Sequence, residues 1–233
     1  MNDAGRLMTG RLLRGAAGFL FWIDGRFYRG LAGPVGLLVL AWLVEQGMSR
    51  LAPEYFLIQL LLMLVLLALF LASTTLLATM VHRCVLLGTS DDFGWGLFWS
   101  PRETRFAMRM IGLIVIALPA LPFAMLPVLG PVIAPLVASY LIARCSLVFP
   151  AIAVGRPMGY RQSWRATESV QGPLIVALVI VPLLIYLPFG WLQLPGWLMP
   201  LSLLVDLMIT LYLTAILSLL HRELVDLDRS SEP

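Results

Sequence analysis

Six stretches of this chain are apolar for long enough to cross a lipid bilayer: Leu31 to Gly47, Tyr55 to Met80, Met110 to Leu126, Pro131 to Val154, Pro173 to Trp191 and Trp197 to Leu219. Hydrocarbon offers backbone N–H and C=O groups no partner, so a run of roughly 20 apolar residues must close its hydrogen bonds internally, as a helix. The connections are too short to fold alone, and one membrane domain is expected to fill the chain. A 60% apolar content and a mean hydropathy of +0.92 exclude a water-soluble domain, in which apolar residues make up about 45–50%. The expected fold is all-α and polytopic: six transmembrane helices in three hairpins, with short interfacial amphipathic helices. Residues 1–30 read as an interfacial segment, 31–220 as the membrane domain and 221–233 as a tail.

The basic residues give this arrangement a direction. All sixteen are arginine. Fifteen lie before the first stretch, between the second and third, at or after the fourth, or after the sixth, and Arg50 alone lies on the other side. The positive-inside rule then places both termini in the cytoplasm. The net charge of +3 speaks for anionic lipid headgroups as partners, not nucleic acid. Cys84 and Cys145 each follow an arginine at that reduced face, so neither a disulfide nor a metal site is expected.

The N-terminal segment has basic residues before a short apolar run, but Asp24 interrupts the run and no cleavage site follows, so it is expected to stay attached. Arg11 and Arg14 on one helical face, and Leu13, Ala16, Ala17 and Leu20 on another, suit a helix lying in the membrane surface. Further along, Ser100, Pro101 and Glu103 form the start signal of a helix: a hydroxyl cap, a proline at the first position and a glutamate that reaches back. Arg102, Arg105 and Arg109 follow on one face of it, reading as a stripe that snorkels to lipid phosphates. After the fourth stretch, Tyr160, Trp164 and Thr167 share one face and Arg161 and Arg165 another, as in a helix anchored at the interface.

Polar residues inside the apolar stretches are the candidates for a site. Ser202, Asp206, Thr210, Thr214 and Ser218 recur every four residues along the sixth, forming one ribbon that should not face lipid. A lone carboxylate at mid-membrane costs at least roughly 2.5–3.5 kcal/mol, so Asp206 needs a partner, and Arg144 in the fourth stretch is the expected one. Tyr140 lies one turn from Arg144, and Thr75, Thr79 and His82 line one face of the second stretch. Stretches two, four and six are therefore expected to pack together. This seam either binds helices to one another or lines a pathway for a proton, an ion or an anionic headgroup, helped by breaks at Pro119, Pro122, Pro182 and Pro188. No nucleophile elbow, metal-ligand cluster or phosphate-binding glycine loop is present, so neither catalysis nor a cofactor is expected.

The segment ARCSLVFPAIAVGRPMGYRQSWRAT, 143 to 167, with the ending YLTAILSLLHREL, 212 to 224, resembles a family of bacterial inner-membrane proteins related to the membrane domain of some glycerophosphoryl diester phosphodiesterases. Arg144, Leu147, Pro150, Ala151, Ile152, Ala153, Ser163, Trp164, Arg165 and Thr167 carry the likeness. The resemblance implies about six helices and no catalytic residues, since catalysis in the fused enzymes lies in a separate soluble domain. The expectation is a non-catalytic accessory or structural protein, bound to lipid and to another membrane protein or a second copy of itself. The alternative is a small transporter or lipid-handling protein that uses the seam.

Overall fold

The computed structural model describes residues 3–21, 25–48, 55–88, 94–127, 129–156, 158–185 and 199–230. Among these residues there is no strand, and six helical segments are long and apolar enough to cross a membrane: Phe27–Met48, Phe56–Leu87, Pro101–Ala124, Val132–Ala153, Glu168–Ile185 and Leu203–Leu224. They are the first to sixth spans below. Arg50, Tyr186, Pro188 and the expected boundaries at Trp191 and Trp197 lie outside the described residues.

The spans differ from the expected stretches mainly at the arginine-rich end. The second runs about two turns past Met80, through His82, Arg83 and Cys84, and stops at Gly88, whose φ of 64° is the left-handed conformation that closes helices. An arginine near a helix end does not terminate it, because the stem lies along apolar surface while the head reaches water. The third span starts at Pro101 and not at Met110. The Ser100 Oγ accepts from Arg102 N–H at 3.2 Å, and the Glu103 carboxylate accepts from Ser100 N–H at 2.9 Å, the capping box read in the sequence. The arginine stripe thus forms the first turns of the span itself.

Prolines shape the remaining helices. Helical hydrogen bonding lapses at Ser146 and Leu147, between the segments Gly130–Cys145 and Val148–Ala153 of the fourth span. Pro150 follows at once; it has no N–H, and its ring crowds the Ser146 carbonyl four residues back. The fifth span widens into a π turn at Val176–Ile180 ahead of Pro182 for the same reason.

The first span packs along the second, the second along the sixth, the third between second and fourth, and the fifth against fourth and sixth. The fourth reaches the second and sixth mainly through Val148–Ala153. The even-numbered spans therefore meet as a group only at the arginine-rich end. There Phe27, Leu77, Val81, Ala215 and Ile216 make one apolar cluster, and Phe106, Val148, Phe149 and Ile152 make another.

Two outer boundaries need correction. The N-terminal helix Asp3–Phe21 is docked on the bundle rather than lying free in the membrane surface: Leu12 and Ala16 are 1% and 0% exposed, packed with residues of the fifth and sixth spans. Its buried face is Met8, Leu12 and Ala16, one step round from the face expected to meet lipid. The helix Met199–Ser230 passes residue 220 without a break, and His221 is buried, so the tail does not begin there. Arg11 Nε lies 3.7 Å from Glu223 Oε1 across this contact, but the arginine is 72% exposed and the pair contributes little.

Candidate functional site

Arg144 is the largest of the fully buried side chains among the described residues, 2% exposed. Its guanidinium carbon lies 4.5 Å from the centroid of the Trp164 ring, and Tyr140 meets the same indole edge-on at 6.0 Å. The break in the fourth span opens the Arg144 carbonyl to the connecting helix Tyr160–Ala166: Ser163 Oγ donates to it at 2.8 Å, and Thr167 Oγ1 lies 3.3 Å away. Ser163, Trp164 and Thr167 thus converge on one residue, backbone and side chain. Trp164, expected at the lipid interface, is half-buried and has its ring face on this cation. Tyr160 is likewise turned inward. Its hydroxyl donates to the Arg109 carbonyl, and burial pushes its phenol pKa up, which keeps the proton in place for that bond.

The expected Arg144–Asp206 pair does not form. Ala143 and Leu147 flank Arg144 and share an apolar cluster with Leu220, about four helical turns from Asp206, or roughly 21 Å along the helix axis. That exceeds an arginine's reach. Among the described residues, Nε and Nη1 of Arg144 have no hydrogen-bond partner, and the cation rests against the indole instead.

The rest of the ribbon is spent internally. Thr210 donates to the Asp206 carbonyl at 2.8 Å, Thr214 to that of Thr210 at 2.6 Å, and Ser218 to that of Thr214 at 2.9 Å. On the second span Thr79 donates to the Thr75 carbonyl at 2.9 Å, and Thr75 points its hydroxyl at Met110 Sδ. A polar link crosses between these two helices: His82 Nδ1 to Ser218 Oγ, at 2.7 Å. The same hydroxyl lies 2.9 Å from the Thr214 carbonyl, so Ser218 ties the imidazole to its own helix. Ser218→Ala is expected to leave the buried His82 Nδ1 without its hydrogen-bond partner and to lower stability by about 1–2 kcal/mol, read as a lower midpoint of thermal unfolding in detergent. Ser218→Thr keeps the oxygen and should recover most of the loss.

Asp206 itself is exposed in a groove of about 540 Å³ between the first, second and sixth spans, whose lining includes Trp42, Glu45, Met63, Phe70 and Thr210. The 136-residue offset between His82 and Ser218, carried along two helices running the same way, sets Asp206 level with Phe70.

A second cavity, of about 320 Å³, opens at the arginine-rich end. Arg83, Arg102 and Arg105 line it together with Leu87 and the backbone turn Ile152 to Gly155. Arg102 Nε is 3.0 Å from Glu103 Oε1, and Arg105 is exposed. The arginines expected at lipid headgroups therefore divide. Arg102 and Arg105 enter this cavity; Arg109 lies over the Tyr160 ring at 5.1 Å; Arg161 and Arg165 are exposed on the connecting helix. Sequence reasoning counted Arg83 only in the charge bias and Ser163 only in the family likeness, neither as a site residue. The matching Arg-Cys ends of the second and fourth spans were the signal for the first, and a hydroxyl spaced to meet a proline-broken helix was the signal for the second. Set against models of known families, curated proteins and solved structures, the chain matches none of them.

Proposed function

We propose that this chain is a non-catalytic accessory or structural component of a larger assembly in the bacterial inner membrane, with both termini in the cytoplasm. One observation carries the reading: only 6% of the most apolar part of the second span is buried, against 22–39% in the other five. Leu57, Leu61, Met63 and Leu64 are each at least 56% exposed, so the half of this helix far from the arginine-rich end is almost bare of its own protein. Beside it lies the groove with Asp206 and Glu45. Lipid tails are as apolar as leucine, so a partner helix is selected by packing and polar contacts rather than by hydrophobic drive. The occupant that fits is a transmembrane helix carrying arginine or lysine near mid-membrane, set against the acidic lining of this groove. A second copy of this chain fits poorly, because Arg144 is buried. The orientation rests on the arginine bias. Kinship with the membrane domain of the glycerophosphoryl diester phosphodiesterases draws support from Arg144, Leu147, Pro150, Ser163, Trp164 and Thr167, which the likeness singled out and which lie together in one part of the fold.

The test is photo-crosslinking in native membranes from position 63, with mass spectrometry of the product. A stoichiometric product whose linked helix carries a basic residue within a turn of the crosslink supports the proposal. Asp206→Lys should reduce its yield at least tenfold while leaving the unfolding midpoint within a few degrees, since the side chain is exposed. A protein that purifies alone from mild detergent, with the same crosslinks in both variants, would sink it. The second reading, a transporter or lipid-handling protein, is favoured by the three-arginine cavity.

A further inference from the structure

The connection between the second and third spans does not stay at their ends. Ser73 Oγ donates to the Pro34 carbonyl at 2.7 Å, which sets the first and second spans level there, and the neighbouring Gly33 N–H donates to the Trp95 carbonyl at 2.9 Å. The segment Gly94 to Trp99 therefore reaches back alongside the first span to the height of Ser73, roughly 15 Å along the second span from Arg83. Glycines permit the approach. A Cβ on Gly33 would collide with the Trp95 carbonyl and the Leu97 side chain, and one on Gly96 with the Gly30 carbonyl.

That height is the edge of the apolar band that the spans turn outward. On the second span Leu57, Leu64 and Phe70 are exposed whereas Leu77 and Val81 are buried, and on the third span exposed large apolar side chains begin at Met108. Thr75 Oγ1 lies 3.7 Å from Met110 Sδ, so the two edges are close in height. The loop continues this band round the first span: Trp95, Leu97 and Phe98 are 76%, 56% and 75% exposed. Its backbone has the opposite character, since Leu97 and Phe98 are outside any helix and make no backbone hydrogen bond among the described residues. Unpaired N–H and C=O groups are excluded from hydrocarbon, and bare rings of this size are unfavourable in water. The headgroup layer offers both media side by side, which is why tryptophan collects there. Trp99 Nε1 donates to Thr104 Oγ1 at 2.9 Å, so the exposed stretch is held at both ends, by the first span and by the third.

We propose that Trp95 to Trp99 is a membrane-docking loop, seated in the headgroup layer of the leaflet on the arginine-rich side, with the phospholipid surface as its partner. The placement fits the length of the second span: 32 residues, or roughly 48 Å, overrun a hydrocarbon core of about 30 Å, and the overrun falls at the arginine-rich end. The proposal is separate from the partner groove on the other half of that span, and loss of a protein product at position 63 leaves it untouched.

The experiment places the photoreactive residue p-benzoylphenylalanine at position 98 of the full chain, irradiates native membranes and identifies the product by mass spectrometry. Position 95 is a second reporter in the loop. Position 61, on the exposed apolar face of the second span, is the hydrocarbon reference, and position 11, exposed beside Glu223 beyond the arginine-rich end, is the water reference. Positions 98 and 95 should each give phospholipid adducts in at least fivefold higher yield than position 11, attached at the glycerol and the first acyl carbons, with those from position 61 further down the chain. Yields at 98 and 95 no higher than at 11 place the loop in water and overturn the proposal. A second protein as the main product at both loop positions, or adducts as deep as those from position 61, overturns it equally.

Discussion

Truncating Arg144 to alanine is expected to lower unfolding free energy by about 2–5 kcal/mol, the range for removing a long side chain from a packed interior. The side chain fills the space between the fourth span and the helix Tyr160–Ala166, and its cation lies over Trp164. Two opposing effects sit in that number. The ring contact contributes about 1–2 kcal/mol for a desolvated cation, while the buried charge, with Nε and Nη1 lacking a partner in the described residues, costs part of it back. Arg144→Met separates them: it keeps most of the volume, drops the charge, and should recover more than half of the alanine loss. A double-mutant cycle with Trp164→Ala isolates the ring term, with an expected coupling of about 1–2 kcal/mol. Additive losses would show that Arg144 acts as filler and that the indole contributes nothing specific. The Ser163 bond to the Arg144 carbonyl survives both substitutions, because it is made to the backbone.

The residues legible in the sequence and those that were not differ in kind. Ser100 and Glu103 act on neighbours three residues away, so spacing alone located the helix start. Six apolar lengths located six spans. Arg144 and Asp206 could each be assigned a depth from its own helix, but pairing them needs the relative slide of two helices, which single-chain periodicity does not contain. The packing of Ala143 and Leu147 in one cluster with Leu220 supplies that slide and sets the carboxylate far from the guanidinium. The contact of Trp164 with Arg144 was hidden for another reason. The face bearing Tyr160, Trp164 and Thr167 was correctly identified, but an aromatic face fits lipid headgroups and a protein interior equally well, and only the location of the buried cation decides. The N-terminal helix is a third case: a face of leucine and alanine meets other helices as readily as lipid, and the bundle offers it Leu174 and Leu220.

Gly96→Ala is expected to be costly out of proportion to one methyl group, because three local features converge there. Its φ of 71° is left-handed, a strain of about 1–3 kcal/mol for a residue with a Cβ. The hydrogen that a methyl would replace points at the Gly30 carbonyl in the first span. That carbonyl lacks its usual helical donor, because the residue four positions on is Pro34. One turn along, Gly33 N–H donates to the Trp95 carbonyl at 2.9 Å, so the loop lies backbone to backbone on the helix where glycines let it approach. Gly94→Ala is the control: its φ is 51°, with nothing within 4 Å of its Cβ position, so it meets the strain without the collision. Gly96→Ala should lower unfolding free energy by at least about 1 kcal/mol more than Gly94→Ala, the net value of a lost hydrogen bond. It should also expose the Trp95–Phe98 segment to protease; equal losses for the two variants would mean that the loop is held by something other than this contact. The loop runs directly into Ser100, which caps the helix carrying Arg102 and Arg105. Undocking it should therefore also loosen the first turn of that helix, read as faster amide exchange at Arg102 and Glu103.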